Sequence, residues 1–424
     1  MRLNIYKRPQ STWLTLFVFW MPFFFAPLME WLHIPSFIKY SVDFANLLLL
    51  ALLCSKRIRK VHINIRFMLL WVSLFVIYTF LRYLFDFQSI LYYIWGARNN
   101  FRFYIFFFAC TFFLDDWNLE RIFQLLDKVF YVHVVVAIFQ FLVLGYKQDN
   151  LGGIFGTRSG CNGWLNIFQV IIVAIAILQY LDKEINIGEC AIKCILCLMI
   201  AALAELKFFF VEFIIIVCVE LLVTNFSWKK LWIILGALVA IPIFAMVLIS
   251  LFPGWAQSMT LRGLLEIATS DKGYTSSGDV NRMTFISYCN RNLMQSRIQH
   301  IFGYGLGNCD YADGIAFLTT PFYRRFSVTH YTWLISAVVY LENGYIGLVF
   351  YFGFFVITFF QAWRIKHNPE ANVFYCQLAQ VVSVMCIFIA IYNSSLRVES
   401  GYMLYFILAT PFVKIMNRKV NVKI

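Results

Sequence analysis

Charge is scarce in this sequence. Asp, Glu, Lys and Arg make up 13% of its 424 residues, against about a quarter in an ordinary soluble domain. With 61% hydrophobic residues beside it, that scarcity excludes a soluble enzyme, a secreted disulfide scaffold and a disordered regulator. Acidic groups are the scarcer sign, 22 against 35 Lys and Arg. The resulting net charge of +13 does not by itself imply nucleic acid, because in a membrane protein the location of positive charge matters more than its sum. Familiar motifs are missing too: there is no HExxH, no pair of CxxC motifs, no Walker loop and no His/Asp metal spacing. The residues call for no cofactor.

Cysteine is present, eleven times, but the odd count and the apolar surroundings argue against a disulfide framework. Cys190, Cys194 and Cys197 have the spacing of a radical-SAM cluster, yet they sit in the apolar run ECAIKCILCLMIAALAE and read as small hydrophobes. Cys289 and Cys309 are the only pair within the long polar segment, and a disulfide between them is left open. Arg2, Lys7 and Arg8 precede an apolar run from Trp13 that resembles a signal peptide. The run is long and ends in PLMEWLH without an A-x-A-like cleavage site, so a retained first transmembrane helix is expected.

What the chain has in quantity is apolar stretches long enough to cross a bilayer. They fall at about 13–32, 37–54, 66–86, 96–114, 121–144, 164–181, 190–206, 208–223, 230–252, 331–361, 371–393 and 401–416. The expected fold is an all-α polytopic membrane protein, a single integral membrane domain over 1–424 with about twelve transmembrane helices. The seventh and eighth stretches are split only by Glu205-Leu206-Lys207. The tenth is too long for one span and is interrupted at Glu342-Asn343-Gly344, which predicts a half-helix followed by a full span. One long segment, 253–330, separates the ninth stretch from the tenth. Its middle, about 280–299, predicts an amphipathic helix with Met283, Ile286, Leu293 and Ile298 near one face.

Lys and Arg set the expected orientation. They crowd SKRIRK at 55–60 and the tail after Pro411, and much of the opposing charge lies in the one long loop that the positive-inside rule discounts. Both termini are therefore expected in the cytoplasm and the long loop outside.

Ionisable groups in or beside apolar spans are the candidates for function. Arg98 and Arg102, four apart in IWGARNNFRFYIFFF, share a helical face and suit a phosphate or diphosphate; snorkelling to headgroups is the plainer alternative. Lys207 follows Glu205 at the break between two spans, where it can meet an anion or pair locally with Glu205. Glu212 and Glu220 lie deeper and read as a polar seam. Arg158 sits in the glycine-rich loop GGIFGTRSGCNGW, whose backbone N–H groups can form an anion-binding concavity. His330, in SVTHYTWL at a membrane–water boundary, suits a general base; an interfacial polar residue is the bland reading. GYGLGN at 303–308 is a tight glycine turn and lacks the dinucleotide spacing. Together these residues imply an outward-open site for an anionic, lipid-linked substrate.

In this order the pieces resemble the O-antigen polymerase/ligase family, the Wzy-type polysaccharide polymerases. The similarity covers about 90–365: the loop GGIFGTRSGCNGW, the broken spans at AELKFFF, the segment NRMTFISYCNRNLMQSRIQHIFGYGLGN, and THYTWLISAVVYLENGYIGLVFYF. Two departures stand out. Lys207 occupies a place where the family often has Arg, which loses bidentate geometry, and the spacing from His330 to Glu342 is a few residues longer than the family pattern.

The resemblance implies a GT-C-like, metal-independent, inverting glycosyltransferase of the bacterial cytoplasmic membrane. Its substrates would be oligosaccharide repeat units of O-antigen, capsule or exopolysaccharide on undecaprenyl diphosphate, its partner a chain-length regulator protein, with no nucleic acid. On this reading His330 deprotonates the acceptor and Arg282, at the head of the Arg-led segment, is the first diphosphate ligand. Lys207, Arg158, Arg98 and Arg102 follow, with Glu342 in support. Within the family the alternative is an O-antigen ligase that transfers glycan to lipid A–core; outside it, a polysaccharide or lipid-linked sugar transporter or flippase.

Overall fold

The structure, a computed structural model, describes residues 9–55, 63–86, 88–225, 228–251 and 279–421. Apolar runs of this length form helices because, away from water, a helix satisfies its backbone polar groups within the segment. In chain order the long helices are α1 (Gln10–Ala26, continued by a π turn Pro27–Trp31), α2 (Tyr40–Cys54), α3 (Ile63–Asp86), α4 (Ile90–Phe113), α5 (Asp116–Leu142) and α6 (Cys161–Leu181). Then come α7 (Ile187–Leu203), α8 (Lys207–Val223) and α9 (Lys229–Leu251). After three short helices, α10 (Phe285–Tyr288), α11 (Arg297–Phe302) and α12 (Pro321–Phe326), the chain closes with α13 (Ile335–Lys366), α14 (Val373–Tyr392) and α15 (Gly401–Asn421).

Among the described residues there is no strand. Within the described residues, seven helical segments are long and apolar enough to cross a membrane: Gln10–Trp31, Ser36–Cys54, Ile63–Phe85, Asp116–Leu142, Cys161–Leu181, Ile335–Lys366 and Val373–Tyr392. The other long helices, α4, α7, α8, α9 and α15, lie over the remaining apolar stretches of the sequence. The architecture is all-α, and its outward faces carry Leu47, Leu50, Leu70, Leu74 and Ile77 in exposed positions, a surface suited to hydrocarbon rather than water.

Helices α6 and α14 form the centre, 83% and 72% buried over their most apolar stretches, whereas α2 and α3 are 22% buried and line the periphery. Helix α15 packs between α4 and α14, and α13 lies along α14 and α3. Asp115, Asn186 and Asn372 cap α5, α7 and α14 through side-chain acceptors at one end of the bundle. The long polar segment gathers at the other end.

Two helix breaks fall where the sequence places them. Between α7 and α8, Glu205 adopts a left-handed conformation with φ 57°. Leu206 N–H then donates to Ala201 O at 2.8 Å and Glu205 N–H to Ala202 O at 3.2 Å, the bond pattern of a Schellman cap. Inside α13, Gly344 leaves helical geometry at φ 63° and ψ −161°, which divides a half-helix from a full one. A Cβ at Gly344 would strike Ile301 O, and one at Gly307 (φ 83°) would strike Tyr92 O. The turn at 303–308 thus threads between α4 and the break in α13, with Tyr304 N–H donating to Leu341 O and Gly305 N–H to Glu342 O, both at 2.8 Å.

The single amphipathic helix expected over 280–299 is not there. The segment forms α10, a π turn over Cys289–Leu293, and α11 after an extended break at Met294. Phe285, Cys289 and Leu293 turn inward on a four-residue repeat, while Met283 and Ile298 are exposed. A spacing of four matches the wider π turn better than an unbroken α-helix. The capping box of Ser296 and Gln299 restarts the helix at Arg297. Cys289 and Cys309 are both buried free thiols in the small core beneath this segment. Residues 253–278 of the expected outer loop, and Arg2, Lys7 and Arg8, lie outside the described residues.

Candidate functional site

The polar end of the bundle holds two groups of charged side chains. The first reaches Tyr392 at the end of α14, and the second reaches the connection between α14 and α15, residues 393–400.

The first group collects Lys207, Arg282 and His330. Lys207 begins α8, and its Nζ lies 3.3 Å from Glu205 Oε1 across the helix break. Asp149 and Arg282 are its other electrostatic neighbours. Asn162 Nδ2 donates to Asp149 Oδ1 at 2.6 Å, which ties the glycine-rich loop to the same place. Arg282 Nε donates to Tyr392 O at 2.9 Å, and its guanidinium lies 4.3 Å over the Tyr392 ring. Phe208 stacks on that ring at 3.8 Å, so Tyr392 holds the start of α8 and Arg282 of the long segment together.

His330 lies at the same end of the bundle, where Val280 N–H donates to Thr329 O at 2.9 Å and brings residues 279–280 alongside residues 329–330. Its Nδ1 is 2.6 Å from Asp279 Oδ1. Its ring stacks on Trp333 at 4.1 Å between centroids.

The second group contains Arg98 and Arg102, and the structure gives each of them carboxylate partners. Arg98 Nη2 donates to Asp43 Oδ2 at 2.5 Å, with Trp95 and Tyr40 against its guanidinium. Arg102 Nη1 donates to Glu399 Oε1 at 3.0 Å and to Asp43 Oδ1 at 3.3 Å, and its Nη2 to Arg397 O at 2.7 Å. Arg397 in turn makes a bidentate pair with Asp310 at 3.1 and 2.5 Å. Asn99 Nδ2 adds a bond to Asp310 Oδ2 at 2.6 Å. Glu342 is fully buried, with Oε1 3.9 Å from Arg397 Nη2. Burial alone would raise the pKa of Glu399, but Arg102, Lys39 and Arg98 hold it at about 2, below its ordinary 4.5. Burial likewise works against the Arg397 charge, and Asp310 and Glu342 more than offset it.

Arg158 lies on the exposed rim, its Nε 3.7 Å from Glu30 Oε1. The loop around it holds the carboxylate of Glu30. That carboxylate accepts from Thr157 N–H at 2.9 and 3.2 Å and from Thr157 Oγ1 at 3.1 Å. Deeper in the bundle Asn166 Nδ2 donates to the buried Glu212 Oε2 at 2.8 Å, and Glu220 is buried below it.

Compared with known proteins, the chain matches no family model and no curated protein.

The sequence reading named Arg98, Arg102 and His330 without their carboxylate partners, and missed both members of the Arg397–Asp310 pair. Asp43, Asp279, Asp310, Arg397 and Glu399 organise the site, and none was singled out. Asp43 had a usable signal, a lone carboxylate in the apolar run SVDFANLLLL; Arg397 and Glu399 had another, two charges between consecutive apolar stretches. Chemically, the first group offers two cations and an imidazole backed by a carboxylate. The second is a charge-balanced scaffold that fixes the segment around Asp310 to α4 and to the start of α15.

Proposed function

We propose that the chain polymerises oligosaccharide repeat units carried on undecaprenyl diphosphate. It acts as an inverting glycosyltransferase in the bacterial cytoplasmic membrane, with twelve spans, both termini cytoplasmic and the Lys207–Arg282–His330 end outward. The observation that carries this reading is that Lys207, Arg282 and the Asp279-bound His330 lie at the same end of an apolar bundle. The order of four motifs resembling the polymerase/ligase family supports it. In the step proposed, an acceptor hydroxyl oxygen attacks the anomeric carbon of the donor and its proton passes to His330. The bond from that carbon to the diphosphate oxygen breaks, and the electron pair leaves with the lipid diphosphate. Arg282 and Lys207 stabilise the charge that develops there.

The test is chain extension. His330→Ala and Arg282→Ala should each abolish polymer ladders while the protein inserts at normal levels, and purified wild-type protein should elongate lipid-linked repeat units without an energy source. A full ladder from either variant overturns that residue's role. A deletion strain that leaves long glycan intact on its carrier lipid, unattached to lipid A–core, indicates the ligase instead.

A further inference from the structure

We infer that Asp279 is the positioning residue of His330, fixing the imidazole so that Nε2 is the nitrogen that takes the proton. The inference rests on the reading of His330 as the general base.

The two residues are 51 apart in sequence, and their contact is built by backbone. The Val280–Thr329 hydrogen bond places Asp279 and His330 side by side. His330 occupies the left-handed region at φ 51°, a conformation that is strained for a non-glycine residue and is kept where surroundings enforce it. Trp333 covers one face of the ring. The Asp279 side chain is 2% exposed and the His330 side chain 36%, so the carboxylate is enclosed while the ring is half open.

An ionised carboxylate can only accept a hydrogen bond, so the 2.6 Å contact requires the proton on Nδ1. In the neutral ring the lone pair is then on Nε2. Asp279 also stabilises the imidazolium formed when that nitrogen is protonated, the role a carboxylate has behind a catalytic histidine. Without it, the ring can hold the proton on either nitrogen and rotate about its side chain.

The experiment compares wild type, Asp279→Asn, His330→Ala and the double variant on lipid-linked repeat units in liposomes. Asp279→Asn keeps the shape and removes the charge. It should lower kcat by about 100-fold with KM within about threefold, and the double variant should be no slower than His330→Ala alone. A kcat for Asp279→Asn within about twofold of wild type, or additive losses in the double variant, overturns the inference. A fully active His330→Ala instead overturns the reading beneath it.

A second measurement needs no variant to turn over. In 15N spectra of histidine-labelled protein, with the His330 signals identified by their loss in His330→Ala, the neutral ring should carry its proton on Nδ1. A proton resident on Nε2 in the wild-type protein overturns the inference.

Discussion

Arg102 shows why a buried cation is best judged by what faces it. Its side chain is 4% exposed, and it is tolerated because Glu399, Asp43 and a backbone carbonyl surround it. Removing one partner from such a group leaves a buried charge uncompensated, at a cost of about 3–5 kcal/mol. Glu399→Gln should therefore lower the unfolding midpoint in detergent at pH 7. The pH dependence has a definite sign. A carboxylate whose pKa falls from 4.5 unfolded to about 2 folded contributes its stabilisation above the unfolded value and loses it as pH drops through the folded one. The gap between wild type and Glu399→Gln should stay constant near neutrality and close between about pH 4.5 and 2; a gap that widens on acidification contradicts the assignment. At this scale the sequence was half legible. Arg98 and Arg102 stand out as ionisable groups in an apolar run, but their partners lie 55, 59 and 297 residues away. No local spacing encodes such pairs.

Helix breaks were the most legible elements, because each has a local cause. Polar residues interrupting an apolar run marked both the turn at Glu205 and the division of α13 at Gly344. The segment at 280–299 was misread because Met283, Ile286, Leu293 and Ile298 fit a 3.6-residue period closely enough, although Met283 and Ile298 are exposed, and the switch to a π turn at Cys289 leaves no separate mark in the sequence. The close approach of the 303–308 turn to two helices gives a sharp prediction. Gly307→Ala and Gly344→Ala each add a left-handed penalty of about 1 kcal/mol to a backbone collision. Both should lower the yield of folded protein and open the segment to proteolysis. Gly236→Ala, in α9 with no atom within 4 Å of the added methyl, should be neutral or gain up to about 1 kcal/mol. Equal behaviour of all three would refute the packing described here.

For the whole molecule, orientation is the property to test. Ser287 lies in the long segment and Ser55 beside the basic run at 55–60, and both are exposed. With the exposed Cys54 and Cys218 replaced by serine, Ser287→Cys should react with a membrane-impermeant maleimide in intact cells. Ser55→Cys should react only after permeabilisation, and the reverse pattern would invert the topology proposed. The fold class was legible because twelve apolar stretches state it directly. The convergence of α4, the segment at Asp310 and the break in α13 on the 393–400 connection was not, because packing order among helices is set by surface fit rather than by any single run.

The distance in sequence between Arg102 and Glu399 also orders events during synthesis. Translation delivers α4 with its two guanidiniums long before α15 and the connection that precedes it. Before then, Asp43 is the carboxylate that the described residues place against both of them. The connection before α15 thus supplies a carboxylate against which α4 packs, so a nascent chain released before Glu399 should leave Arg102 without that partner however well its other helices have folded.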